Sequence, residues 1–180
     1  MKAVVLFGSP RKDGNTHALV DAFARVLLEK QHEVKVLHLN DLNIRPCQGC
    51  LSCLEKGECR INDDMALVRG DIMEAGVVVY ATPIYWFGPS AQLKLVIDRS
   101  IAFMDGEYNS RLRGKKAVTL VSCADEDRKV CQPALDMFGK TLELLGMTYV
   151  AAVEASGCAD KGKVSGETLV AARKAAESVL

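Results

Sequence analysis

Apolar positions along this chain follow two rhythms. Short unbroken runs, Ala3 to Leu6, Val77 to Ala81 and Ala117 to Val121, have the length and β-branched character of strands covered on both faces. Between them the apolar residues recur at steps of three and four. Leu19, Ala22, Phe23, Val26 and Leu27 line one face of a helix running from about Asn15 to Gln31, and Met65, Val68, Ile72 and Ala75 do the same for a helix capped by Asn62 or Asp63 and ended by Gly76. Glu33 to Leu39 alternates instead, with Val34 and Val36 set against Glu33, Lys35 and His38, which predicts an edge strand with one wetter face. Pro89 suits the first turn of a helix reaching about Met104 that is apolar nearly all round (Leu93, Leu95, Val96, Ile97, Ile101, Phe103), a surplus that predicts a subunit interface. Lys129 to Leu145 reads as a helix closed by Gly146, Met147 to Val153 as a strand, and Gly166 to Leu180 as a last helix.

Five strands alternating with five helices predict an α/β, doubly wound parallel sheet of flavodoxin-like order 2-1-3-4-5 in a single domain over residues 1–180. Ligands of such sheets bind at the carboxyl ends of the strands, where strand order reverses, and that rule selects the loops Gly8 to Thr16, Thr82 to Gly88 and Ser122 to Arg128. The connection after the second strand, residues 41–62, is longer than a compact domain needs and carries cysteines.

Composition narrows the functional classes. Lys plus Arg and Asp plus Glu both number 23 in 180 residues, so no overall field attracts nucleic acid or an anionic membrane. Ala75 to Leu93 carries no charge, but Gly76, Pro83, Gly88 and Pro89 break it, and no membrane span is expected. The chain enters its first strand directly after Met1 and Lys2, without the parts of a signal peptide, which points to a cytoplasmic protein. Seven cysteines in a reducing compartment favour metal ligation or redox chemistry over structural disulfides.

The first loop, Gly8-Ser-Pro-Arg-Lys-Asp-Gly-Asn-Thr16, has the makings of a phosphate seat. Its glycines free the backbone, Ser9, Arg11 and Thr16 offer donors, Asn15 or Thr16 can cap the helix, and the N–H groups of a helix start attract an anion. Gly14 is followed by Asn15 rather than Lys, so this is no Walker A loop, and the dinucleotide fingerprint is absent. A strand away, Thr82-Pro-Ile-Tyr-Trp-Phe-Gly88 sets three aromatics at the same sheet edge. Phosphate at one loop and a flat ring at the next describe a mononucleotide, and FMN is the one this sheet commonly carries. Cys47, Cys50, Cys53 and Cys59 form a second constellation: three thiols at steps of three and a fourth close by resemble the runs that hold iron-sulfur clusters. Zinc, a reversible dithiol and an empty loop stay open as alternatives.

The Gly-Ser-Pro-Arg-Lys-Asp-Gly-Asn-Thr loop, the four-cysteine loop ending in Asp63-Asp64-Met65, and the run Ala81-Thr-Pro-Ile-Tyr-Trp-Phe-Gly-Pro-Ser-Ala-Gln-Leu-Lys-Leu-Val-Ile-Asp-Arg99 together resemble the NADPH-dependent FMN reductase superfamily, and within it the iron-sulfur flavoproteins. The resemblance implies that Ser9, Arg11, Asn15 and Thr16 hold the FMN phosphate. It implies that Pro83, Ile84, Tyr85, Trp86 and Phe87, with Ser122, Cys123 and Ala124, border the isoalloxazine, and that the four clustered cysteines hold a [4Fe-4S] cluster. An FMN-dependent oxidoreductase follows, taking electrons from NAD(P)H or a ferredoxin-type one-electron donor and passing them to a quinone or similar small acceptor, as a homodimer or homotetramer. A non-enzymatic electron carrier is the rival, set against by the zero net charge; an FMN- or zinc-binding module without turnover is another. The flavin does the redox chemistry in this reading, so no side chain is nominated as catalytic.

Overall fold

The computed structural model describes residues 1–180. Its strands are β1 (Lys2–Phe7), β2 (Glu33–His38), β3 (Val77–Tyr85), β4 (Gly88–Pro89), β5 (Lys116–Ser122) and β6 (Thr148–Ala155). The helices are α1 (Asn15–Glu29), α2 (Ser52–Lys56), α3 (Met65–Glu74), α4 (Ala91–Asp98), α5 (Gln132–Leu144) and α6 (Gly166–Ser178). The sheet order is β2-β1-β3-β5-β6, all parallel, with β4 folded back antiparallel on the end of β3. The five long strands thus take the order the pattern predicts, and the sixth is a two-residue addition that no periodicity can announce.

Side-chain alternation sorts the strand residues between two cores. Val4, Leu6, Val78 and Tyr80 face one layer, packed with Val68 and Ile72 of α3, Leu93 and Val96 of α4, and Phe138 and Leu142 of α5. Ala3, Val5, Phe7 and Val79 face the other, packed with Leu19, Phe23 and Leu27 of α1 and Ala172 and Ala176 of α6. Each fully buried Val, Leu or Phe contributes roughly 1.5–3 kcal/mol relative to an exposed one, so the two-sided burial of β1 and β3 fixes the centre of the sheet and with it the loops at its carboxyl edge.

Four sequence expectations change. The helix expected from Pro89 to Met104 starts at Ala91, with Ser90 as its cap accepting from Leu93 N–H at 3.4 Å, because Pro89 is held in β4 opposite Ile84. It stops being α-helical at Asp98 and continues as a 3₁₀ turn over Arg99–Phe103, which turns Arg99 inward until only 1% of it is exposed. Leu95, Ile97 and Ile101 of this segment pack, partly buried, against the first core. The expected exit loop after Ala81 is instead a continuation of β3 to Tyr85 followed by a tight hairpin. The helix expected from Lys129 is 3₁₀ over Arg128–Cys131 and α-helical only from Gln132, where Pro133 fits the first turn.

The connection 41–62 contains α2, entered through Leu51 at φ 56° and left through Gly57 at φ 72°. Asp64, rather than Asn62 or Asp63, occupies the cap position of α3 and its side chain makes no capping bond; Asp63, one residue earlier, accepts from Met65 N–H at 3.1 Å through Oδ1 in a local turn. No helix is long and apolar enough to cross a membrane, and Ala75 to Leu93 is divided among β3, β4 and the start of α4.

Candidate functional site

The first loop leaves β1 through Gly8, whose N–H donates to Ala81 O at 2.8 Å. A Cβ here would lie 2.7 Å from Ser90 Oγ and 2.8 Å from Leu93 Cβ, so the start of α4 is packed directly on this backbone. Ser90 Oγ donates to Gly8 O at 2.6 Å and closes the contact. Ser9 turns the chain: its Oγ accepts from Arg11 N–H at 3.1 Å and donates to Arg11 O at 3.2 Å.

Gly14, not Asn15 or Thr16, occupies the cap position of α1, and no side chain caps it. The N–H groups of its first turn are therefore left for an anion in the cleft beside them. Thr16 does other work: its Oγ1 pairs with Ser122 Oγ at 2.8 Å, buried, tying the first loop to the third. Asn15, expected at the phosphate, has a fully engaged amide. Its Nδ2 donates to Cys158 O at 3.1 Å and Asp160 O at 2.7 Å, and its Oδ1 accepts from the N–H groups of Gly162 and Lys163 at 2.9 and 3.1 Å. It staples the loop after β6 to the start of α1.

A cleft of about 230 Å³ opens at this edge. Ser9, Arg11, Asn15 and Thr16 line one end, Pro83, Ile84 and Tyr85 one side, and Ser122, Cys123 and Ala124 the other. The polar, uncapped end suits a phosphate and the flanks of Pro83, Ile84 and Ala124 suit a flat ring, so these residues fit FMN in kind and order. Trp86 and Phe87 do not line the cleft. They form the tip of the β3–β4 hairpin, 95% and 54% exposed, both with left-handed backbone (φ 49° and 64°).

Sequence reasoning missed a fourth wall. Cys158, Ala159 and Lys161, from the loop after β6, also line the cleft, and Lys161 forms an ion pair with Asp13 at its mouth. The hydrogen bond from Lys161 holds the Asp13 carboxyl below its ordinary range. The signal available was the run Ser156-Gly-Cys-Ala-Asp-Lys-Gly-Lys163, polar and glycine-bearing, directly after a strand whose carboxyl end belongs to the same edge.

Cys47, Cys50, Cys53 and Cys59 line a second, much smaller cavity with Ile61, Arg99, Ile101 and Ala102. All four are free thiols, and no three metal-ligating side chains anywhere in the chain are gathered closely enough to hold an ion. Hydrogen bonds from Ser52 lower the exposed Cys50 thiol, while burial raises that of Cys53. The wall behind them is an ion pair. Arg99 Nη1 donates to Asp63 Oδ2 at 2.6 Å, with 1% of each side chain exposed, and Arg99 also donates to the carbonyls of Arg45 at 3.2 Å and Ile61 at 3.4 Å. Burial pushes the Asp63 carboxyl up, but Arg99 and the N–H groups of Arg45 and Met65 more than offset it and leave it below the usual carboxylate range. Arg99 Nε is buried without a partner.

Residues 1–160 match the family described as NADPH-dependent FMN reductase. An iron-sulfur flavoprotein of Archaeoglobus fulgidus is 37% identical over 121 residues, covering 67% of this chain and 54% of that protein. An iron-sulfur flavoprotein of Methanocaldococcus jannaschii is 39% identical over 119 residues, covering 66% of this chain and 62% of that protein. The chain thus spans little more than half the length of these relatives. Among solved structures, the NAD(P)H:quinone oxidoreductase from Methanothermobacter marburgensis superposes with a TM-score of 0.83 at 21% identity, over 100% of this chain and 99% of that one. An FMN-dependent NADH-azoreductase from Bacillus anthracis, in complex with FMN, superposes with a TM-score of 0.72 at 16% identity, over 99% of this chain and 98% of that one. These two likenesses establish the flavodoxin-like fold.

Proposed function

The chain belongs to the NADPH-dependent FMN reductase family, and from that premise we propose that it is an FMN-dependent oxidoreductase that takes electrons from NAD(P)H and passes them to a quinone or another small acceptor. The observation that carries the reading is the cleft at the strand ends. There the uncapped start of α1 and the exposed Arg11 stand at one end, and the Pro83–Tyr85 and Ser122–Ala124 segments form the flanks. When bound, FMN supplies the two-electron and one-electron chemistry of its ring system. The protein's residues bind and position it. The first-turn N–H groups and Arg11 hold the phosphate, Ser9 shapes the loop around it, and Thr16 and Ser122 keep that loop at a fixed distance from the ring side. Asn15 holds the fourth wall in place.

Reconstitution tests this directly. Protein mixed with FMN should retain one flavin per chain after desalting and should oxidise NAD(P)H with a benzoquinone acceptor. Flavin retention without nicotinamide oxidation would leave the electron carrier; no retention would refute the reading.

A second reading rests on the four thiols around one cavity backed by the buried cation Arg99. In number and type they fit a [4Fe-4S] cluster, whose binding would draw them closer together than they stand, and such a cluster would couple the flavin to a ferredoxin-type donor. Iron, sulfide and zinc analysis of anaerobically purified protein separates cluster, zinc and free thiols. We also propose a homodimer or homotetramer, supported by Leu144, 68% exposed, beside a groove shared by Ile97, Ile101 and Met104. A monomer in sedimentation at micromolar concentration would refute that.

A further inference from the structure

Cys123 and Cys131 lie in contact outside the four-cysteine loop. Cys131 Sγ donates to Cys123 Sγ at 3.2 Å, and the Cys123 thiol reaches Asp125 O at 3.5 Å. Both are buried, at 4% and 0% exposure, yet they differ in access: Cys123 lines the cleft and Cys131 stands behind it in the first core. They come from separate elements, the residue after β5 and the end of the 3₁₀ turn before α5.

We propose that Cys123 and Cys131 form a reversible dithiol/disulfide centre at the wall of the cleft, oxidised by low-molecular-weight disulfides that enter through the cleft. A disulfide bond is about 2.05 Å long, so closing the pair needs the two sulfurs to approach by roughly 1 Å. The chemistry is ordinary exchange. Cys123, as thiolate, attacks one sulfur of RSSR, forming a Cys123–S–S–R bond and releasing RS⁻. Cys131 gives up its proton, attacks Cys123 Sγ and expels the second RS⁻. Two protein thiols are oxidised, one external disulfide is reduced, and the two thiol protons end on two RSH molecules. Burial pushes the Cys131 thiol up to about 12, which makes it a poor first nucleophile and assigns first attack to Cys123 on the open side.

Cys158 is the competing partner, since it lines the same cleft and its N–H donates to Cys123 O at 2.8 Å. Its thiol is directed elsewhere, to Ser156 O at 3.5 Å. Closing the 123–131 pair would tie the end of β5 to the turn before α5 and fix the loop from Ser122 to Arg128, which carries Ala124 on the cleft wall.

The test needs no flavin activity. Reduced protein is equilibrated anaerobically at graded ratios of glutathione disulfide to glutathione, quenched in acid, alkylated and cut with trypsin. Cleavage at Arg128 and Lys129 separates Cys123 from Cys131, and cleavage at Lys140 and Lys161 puts Cys158 in a third peptide. The expected result is a 123–131 linked peptide pair, lighter than the two thiol peptides by two hydrogens, that disappears on reduction. In Cys131→Ala the link is lost and Cys123 carries one glutathione. Alkylation of both Cys123 and Cys131 in the wild type at every ratio, or linkage of Cys123 to Cys158, overturns the proposal whether or not the variant folds.

Discussion

The hydroxyls of Thr16 and Ser122 meet at 2.8 Å beneath the cleft, 106 positions apart in the chain and both buried. Through this one bond the start of α1 is held against the end of β5, so the phosphate end and the ring side of the cleft keep a fixed separation. Removing either hydroxyl strands the other away from water. Thr16→Val and Ser122→Ala are each expected to cost about 1–3 kcal/mol, and the double variant to cost less than their sum. Urea unfolding of the four proteins measures it; strict additivity would mean that the two groups do not couple.

Arg11 is exposed at the lip of the cleft, where its guanidinium can meet an anion at the start of α1. Arg11→Ala is expected to weaken FMN by about 1.5–3 kcal/mol, roughly ten- to hundredfold in dissociation constant. Lys12, already paired with Asp41 at 2.5 Å, serves as the control, and Lys12→Ala should leave binding nearly unchanged. Titration of flavin fluorescence decides, and equal effects of the two changes would put the phosphate elsewhere.

Asp63 and Arg99 form the wall behind the cysteine loop, each 1% exposed. Asp63→Asn leaves Arg99 buried without its counter-charge and is expected to cost about 3–5 kcal/mol. The sign with pH follows from the lowered Asp63 carboxyl: its stabilising contribution is full above the unfolded-state value and is lost as pH falls through the lower folded-state value. Denaturation midpoints of wild type and variant should therefore converge in acid. A constant gap down to pH 2 would show that the pair is not what titrates.

The hairpin tip holds Trp86 and Phe87 at φ 49° and 64°, a type I′ turn in which Asn and Gly are the favoured residues. Phe87→Gly relieves the left-handed strain at a side chain that is 54% exposed, and should stabilise the fold by about 1 kcal/mol. Thermal unfolding measures this. A lower melting temperature would mean that the ring contributes packing worth more than the strain.

What the sequence disclosed follows from how many residues carry each signal. The five long strands rest on patterns spread over many positions, unbroken apolar runs such as Val77 to Ala81 or the alternation of Glu33 to Leu39, and their order emerges as read although β3 runs on to Tyr85. The cleft's Ser9, Arg11, Pro83 and Cys123 were legible because a topological rule placed their loops at one edge. What stayed hidden depends on single contacts. Asn15 looks like a ligand or a cap until Gly162 and Lys163 are seen bonded to it from the far end of the chain. Arg99 falls inside the helix expected to reach Met104, and no pattern pairs it with Asp63, 36 residues earlier, onto which a 3₁₀ turn swings it. The hairpin at Trp86 was invisible because its left-handed turn residues are the wrong types for it.

Trp86 is the chain's single tryptophan, and 95% of it is exposed. Its indole is therefore bathed in water in the native state, so its emission should already be red-shifted and unfolding should change it little. Fluorescence, which in most proteins follows the collapse of the core, would here be nearly blind to folding. It would report on the hairpin alone, and a blue shift on adding nicotinamide, acceptor or a second subunit would mark the moment that something closes over that tip.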